Sequence, residues 1–338
     1  MARVVLHIGI PGTDAALIQS RFAENAGLLA RHGLIFPHSG TGSGTSMTAG
    51  EALAAALRGL AERRAAQPGD TVLLAATAYA RGQAGTPADF RVLRAALAGF
   101  DEIAVICVLR MQWQALQALY VEKIRSRAPK NPADLLESML HRNMAAGFRA
   151  DYTRLYDHLL TAFAPEEITF LDHGACCGPG QDMPGSLLAH LGIAIDPASL
   201  VGGHNRQMPP ALAALAAQRI AAPHPVAPWL HEAAAGAFRV QHGETAESCI
   251  WSRGDLARLR DHSRTFNARL AARLAGRQPQ FALTDAAGPD HLIHPEDLGA
   301  GFWLRTNRWG FALSQRPPRP AAPPDQPATG SGTASSTS

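Results

Sequence analysis

The sequence predicts an α/β fold, a parallel β-sheet flanked by helices and followed by a largely helical C-terminal half. Three observations lead there. Val4 to Ile8 is an apolar run that ends in a Gly-Ile-Pro-Gly turn, the pattern of a buried parallel strand feeding a loop. Further short apolar runs alternate with amphipathic stretches, which means right-handed βαβ units with helices on both faces. Beyond residue 180 the strand signal fades and helical stripes dominate.

The elements follow in order. After the first strand, Ala15, Ile18, Phe22, Ala26 and Leu29 recur at three- and four-residue spacing and predict one helix facing the sheet. Further strands are predicted at Leu34 to Phe36, Val72 to Ala75, Ile103 to Leu109 and Ile168 to Leu171. The helix after Arg110 carries Trp113, Leu116, Tyr120 and Ile124 on one face, and the next carries Tyr152, Leu155, Tyr156, Leu159 and Phe163. Leu256, Leu259, Phe266, Leu270 and Leu274 mark a late helix. From Gln315 the chain turns Pro-rich and then Gly/Ser/Thr-rich, so residues 1–314 are expected to form one domain and 315–338 a disordered tail.

Composition narrows the function. Lys+Arg number 31 against 28 Asp+Glu, and this near balance gives no bulk charge for nucleic acid or an anionic membrane. The only lysines are Lys123 and Lys130, so the cationic chemistry must come from arginine. Cys107, Cys176, Cys177 and Cys249 are too scattered for a disulfide scaffold, and no CxxC or Cys/His spacing suggests zinc, so no metal is expected. Reduced thiols fit a cytoplasmic protein. No stretch approaches the ~20 apolar residues of a membrane span, and the N-terminal apolar run is too short for a signal peptide.

In open parallel sheets the ligand sits at the carboxyl ends of the strands, so the turn after the first strand is the natural site. It reads His7-Ile8-Gly9-Ile10-Pro11-Gly12-Thr13-Asp14-Ala15-Ala16-Leu17-Ile18-Gln19. Small residues at a helix start suit an anion, but the lysine that usually completes a phosphate cradle is missing. The strand, His-Ile-Gly, the spacing to Gln19 and the following Gly33-Leu34-Ile35-Phe36-Pro37 together resemble the opening of bacterial sulfotransferases, a P-loop family. The likeness continues through a strand ending in Arg110, the Met111-Gln112-Trp113 helix, Ala150-Asp151-Tyr152 to Phe163, Leu188-Leu191-Gly192-Ile193, His204-Asn205-Arg206 and Phe266-Asn267-Ala268-Arg269. It spans roughly residues 3 to 275.

The resemblance implies transfer of a sulfuryl group from 3′-phosphoadenosine-5′-phosphosulfate to a hydroxyl-bearing acceptor such as a glycan, lipid or small molecule. It also implies donor contacts at Gly9, Pro11, Gly12, Thr13, Asp14, Ala15, Ala16, Arg110 and Ala118. The family loop runs H-I-G-x-x-K-T-G-[ST]-T-x-x-Q. Here its lysine position holds Gly12, its threonine is kept as Thr13, and its Gly-Thr-Thr becomes Asp14-Ala15-Ala16. The Ser that partners the strand-end arginine on the 3′-phosphate is Ala118. The donor site therefore reads as lost or altered, and no catalytic base can be named.

Other features have a functional and a structural reading. Asp14 can complement the helix dipole and cap free N–H groups by itself. Arg110 reads as a surviving phosphate contact or an ion-paired arginine, and Tyr120 as core. Gly40 to Ser46 lacks a lysine and reads as a lid or linker, and Cys176-Cys177 as an incidental loop pair. His141, His173 and His204 are acid/base candidates or ordinary structural histidines. Arg21, Arg125 or Arg206 could fold over the loop in place of the lysine. A working sulfotransferase, a degenerate relative that binds a ligand or partner without chemistry, and an ATP-dependent transferase remain as classes, the last disfavoured by the lack of a Gly-Lys-[Ser/Thr] motif. Deleting residues 315–338 is expected to leave the melting temperature within about a degree by calorimetry, whereas a drop of several degrees would mean that the tail packs.

Overall fold

The computed structural model describes residues 2–37, 70–75, 89–126, 131–178, 180–202, 209–285 and 291–315. In chain order its strands are β1 (Arg3–Gly9), β2 (Leu34–Ile35), β3 (Thr71–Ala75), β4 (Glu102–Leu109), the short pair β5 (Met144–Ala145) and β6 (Phe148–Arg149), and β7 (Ile168–Asp172). All five predicted strands are present and form one parallel sheet in the order β2-β3-β1-β4-β7. Val4 lies between Val72 and Ile103, and Leu6 between Leu74 and Val105, so β1 is hydrogen-bonded on both sides. A strand covered on both faces and both edges has no polar surroundings, which is why its sequence is an apolar run.

The helices are α1 (Ala15–Glu24), α2 (Ala26–Arg31), α3 (Phe90–Ala96), α4 (Gln112–Ser126), α5 (Pro132–Arg142), α6 (Tyr152–Leu159), the single turn α7 (His173–Cys176), α8 (Met183–His190), α9 (Ala211–Ala221), α10 (Pro228–His242), α11 (Arg253–Leu274) and α12 (Ala300–Ser314). One sheet face, with Val5, Leu73 and Ile106, packs on Ile18, Phe22 and Leu29 and on Leu187 and Leu188 of α8. The other face, with Val4, Leu6 and Ile8, packs on α3, α4 and α6 and continues into the helical C-terminal half. Full burial of a side chain such as Phe22 is worth about 1.5–3 kcal/mol.

The expected single helix from Ala15 to Leu29 is two helices, broken at Asn25. Asn25 is buried, and its side chain donates to the carbonyls of Arg21 and Val201 and accepts from the Val201 amide. A tertiary tie thus fixes the break. Asn143 in the left-handed conformation ends α5, and Ala146 and Gly147, both at positive φ, turn the β5–β6 hairpin.

Polar side chains join the C-terminal half to the sheet layer. Gln117 on α4 donates to the Ser248 carbonyl at 3.0 Å and accepts from the Ile250 amide at 2.9 Å, and the Trp251 indole donates to the Trp113 carbonyl. At the sheet edge, Gln278 accepts from the Phe170 amide at 3.1 Å and donates to the Phe170 carbonyl at 3.0 Å, pairing with β7 as a backbone would. No helix among the described residues is long and apolar enough to cross a membrane. The tail from 316 on, Gly40 to Ser46, His204 to Arg206 and the side chain of Arg125 lie outside what is described.

His7 is the polar exception in β1. It is fully buried, neither ring nitrogen has a hydrogen-bond partner, and burial lowers its pKa from 6.5 to about 4. Its folded form is neutral, so between pH 6.5 and about 4 the unfolded chain binds the extra proton and stability falls with pH. Across that window the loss is of order 3 kcal/mol. In urea titrations from pH 7 to 4, His7→Leu is expected to remove that part of the slope and to raise stability at pH 7, because two unsatisfied nitrogens leave the core. An unchanged slope would count against the buried neutral imidazole.

Candidate functional site

The chain leaves β1 towards β2 on one side of the sheet and leaves β4 towards β7 on the other. Adjacent strands with diverging connections open a crevice at their carboxyl ends, the usual ligand position in such sheets. The loop after β1 and the residue after β4 meet there. Arg110 Nη1 donates to the Gly12 carbonyl at 2.6 Å, and its Nε donates to Gln114 Oε1 at 3.3 Å. Burial lowers the Arg110 pKa, opposed by the charges of Asp14 and Cys177. Tyr152, its pKa pushed up by burial, donates from its hydroxyl to the Arg110 carbonyl and fixes the strand end.

The loop is folded tightly against its surroundings. Gly12 has φ +80°, and a Cβ built there would lie 2.6 Å from the Ala118 Cβ and 3.1 Å from Arg110 Nη1. A lysine at this position is not accommodated on this backbone. Thr13 is buried and its hydroxyl donates to the Ile10 carbonyl at 2.8 Å, so it is used inside the loop. A Cβ on Gly9 would meet that hydroxyl at 2.6 Å. Pro11 and Ala15 are buried, Ala16 is exposed, and Gln19 donates to the Ala75 carbonyl at 3.0 Å. The structure therefore brings Gly12, Asp14, Arg110 and Ala118 together, whereas Ala16 faces outward.

Asp14 corrects the expectation that it caps its helix. It is the N-cap of α1 but adopts the left-handed conformation, φ 54° and ψ 22°, and makes no side-chain cap bond. Asp89, Asp151, Asp172 and Asp182, N-caps of α3, α6, α7 and α8, are extended and each accepts a helix amide. The αL backbone turns the Asp14 carboxylate away from the first-turn amides, and its Oδ2 lies 3.0 Å from His173 Nε2.

His173 follows β7 on α7. Asp172, buried, accepts the amides of Gly174, Ala175 and Thr284 and holds that turn. The Cys177 amide donates to the His173 carbonyl at 3.0 Å, so both side chains lie on one face a helical turn apart, and Cys177 Sγ is 3.6 Å from His173 Nε2. Burial, followed by the Asp14 charge, pushes the Cys177 thiol up to about 12.

Asp14, His173 and Cys177 thus form one cluster, with ligand atoms within 4.8 Å of one another. Reading Cys177 as an incidental loop residue and His173 as a lone histidine missed it. The His-x-x-x-Cys spacing on a helical turn was the available signal for two of the three. The other candidates fall elsewhere. His141 is exposed on α5 beside Glu137, and Tyr120 is core, with burial raising its pKa to about 12. Arg21 bonds Asp182 and the Pro197 carbonyl instead of reaching over the loop. No protein-family model matches the chain, and neither does any curated protein or solved structure.

The close fit at Gly12 gives a direct check. Gly12→Ala is expected to lower the urea midpoint at unchanged m-value, with about 1–2 kcal/mol from the left-handed backbone alone and more from the contact with Ala118. In a double-mutant cycle, Ala118→Gly should recover at least about 0.5 kcal/mol of the contact part. Strictly additive costs would mean that the two residues do not touch.

Proposed function

We propose that this chain is a sulfotransferase-like protein of the P-loop type whose donor site no longer takes 3′-phosphoadenosine-5′-phosphosulfate, and that it binds a ligand or partner at the crevice without sulfuryl transfer. The observation that carries the reading is the Arg110 guanidinium on the Gly12 carbonyl at 2.6 Å, which fills the loop from the strand side. The order of loop, strand-end arginine and helix along the chain supports the ancestry.

An incoming phosphate would have to break this charge-assisted hydrogen bond, at a cost of about 1.5–3 kcal/mol. It would also approach the Asp14 carboxylate, which at about 5 Å and an effective dielectric near 20 repels a unit negative charge by about 3 kcal/mol. Thr13 offers nothing in return while its hydroxyl serves Ile10.

One observation favours a working enzyme instead. Arg110 lies against Gly12, the position of the family's lysine, so its charge is available once it leaves the carbonyl. Calorimetry with 3′,5′-adenosine bisphosphate separates the two readings. The expected dissociation constant is about 100 μM or weaker. Low-micromolar binding that Arg110→Ala abolishes would overturn the degenerate reading in favour of the enzyme.

A further inference from the structure

We propose that Asp14 Oδ2, His173 Nε2 and Cys177 Sγ bind one zinc ion, with a fourth position left to water. The inference does not rest on the sulfotransferase ancestry. It follows from how three different ligand types, brought from the ends of β1 and β7, converge on one point.

The distances suit a tetrahedral ion. Zinc bonds of about 2.0–2.3 Å set nitrogen and oxygen ligands about 3.3 Å apart, and nitrogen and sulfur about 3.6 Å apart. His173 Nε2 lies 3.0 Å from Asp14 Oδ2 and 3.6 Å from Cys177 Sγ. The carboxylate and the ring need to part by a few tenths of an ångström, and all three ligand atoms already lie within 4.8 Å of one another. Two ligands four residues apart on one helical turn, joined by a third from a distant element, is a recurrent zinc arrangement.

A nucleophile relay does not fit the same atoms. In a cysteine–histidine–aspartate relay the carboxylate and the thiol occupy opposite ring nitrogens, so that one orients the ring and the other gives up its proton. Here both face Nε2, and a single Nε2 proton can serve only one of them. A cation in the middle satisfies all three.

The surrounding side chains are arranged for such an ion. Asp14 forgoes the capping bond that the N-cap aspartates of α3, α6, α7 and α8 make, and holds its carboxylate on the cluster from a left-handed backbone. His173 is buried, while Asp14 keeps a third of its side-chain surface exposed, an opening through which an exchangeable ligand could reach the ion. Coordination exchanges the Cys177 thiol proton for the metal. The carboxylate and thiolate together neutralise zinc, so the nearby Arg110 faces no net positive charge. Three protein ligands and one open position define a site that can polarise a water or a ligand, in contrast to a closed structural site.

The test uses the full chain, stripped of metal with a chelator and titrated with cobalt(II). One equivalent is expected to give tetrahedral cobalt absorption with a thiolate-to-cobalt charge-transfer band, which zinc then abolishes. Cys177→Ser should lose the charge-transfer band, and Cys176→Ser, whose sulfur is not part of the cluster, should keep it. His173→Gln and Asp14→Asn should each weaken zinc at least tenfold in competition with a chromophoric chelator. If His173→Gln does not fold, the wild-type spectrum and the two cysteine variants still decide. A wild-type protein without the thiolate band, or a Cys177→Ser protein that retains it, overturns the proposal.

Discussion

The burial of β1 is the constraint on which the rest depends. Its backbone is paired with β3 and β4, its side chains from Val4 to Ile8 are fully buried, and the chain that follows emerges at its carboxyl end. That exit is narrow. A tight loop built on Gly9, Gly12 and an αL residue returns the chain to α1, whose Ile18 and Phe22 close one face of the sheet. The shape of the crevice is therefore inherited from the packing of a strand buried from Val4 to its carboxyl end.

Within this frame the polar groups of the crevice satisfy one another. Arg110 answers the Gly12 carbonyl, Thr13 answers Ile10, Tyr152 answers Arg110, and Asp14 turns to His173. A phosphate cradle needs the opposite arrangement, with donors held ready and no competing acceptor inside. The crevice instead turns an oxygen of Asp14, a nitrogen of His173 and a sulfur of Cys177 towards one another. A loop poorly suited to anions can thus be well suited to a cation.

The fold was legible because its signals are local. Buried parallel strands are apolar runs, and the runs at Val72, Ile103 and Ile168 each differ in extent from β3, β4 and β7 by one residue at one end. What escaped was tertiary. Asn25 breaks a continuous helical stripe because its amide is tied to Val201, and the β5–β6 hairpin has strands of two residues each, too short to show periodicity. The site divided in the same way. The loop and Arg110 could be found at strand ends, but Asp14 and His173 stand 159 residues apart, and the αL twist that joins them has no signature in an aspartate before a helix.

The Gln278 amide on β7 has a consequence for assembly. An exposed parallel edge is a template on which a further strand can add, from a partner or from a second copy. Here the Phe170 amide and carbonyl are already engaged by a side chain that imitates a strand for one residue, so an incoming segment must break two hydrogen bonds before it makes its own. Gln278 thereby guards this edge of the sheet against lengthening, beside Phe281 packed on Phe170 and the Thr284 amide on Asp172.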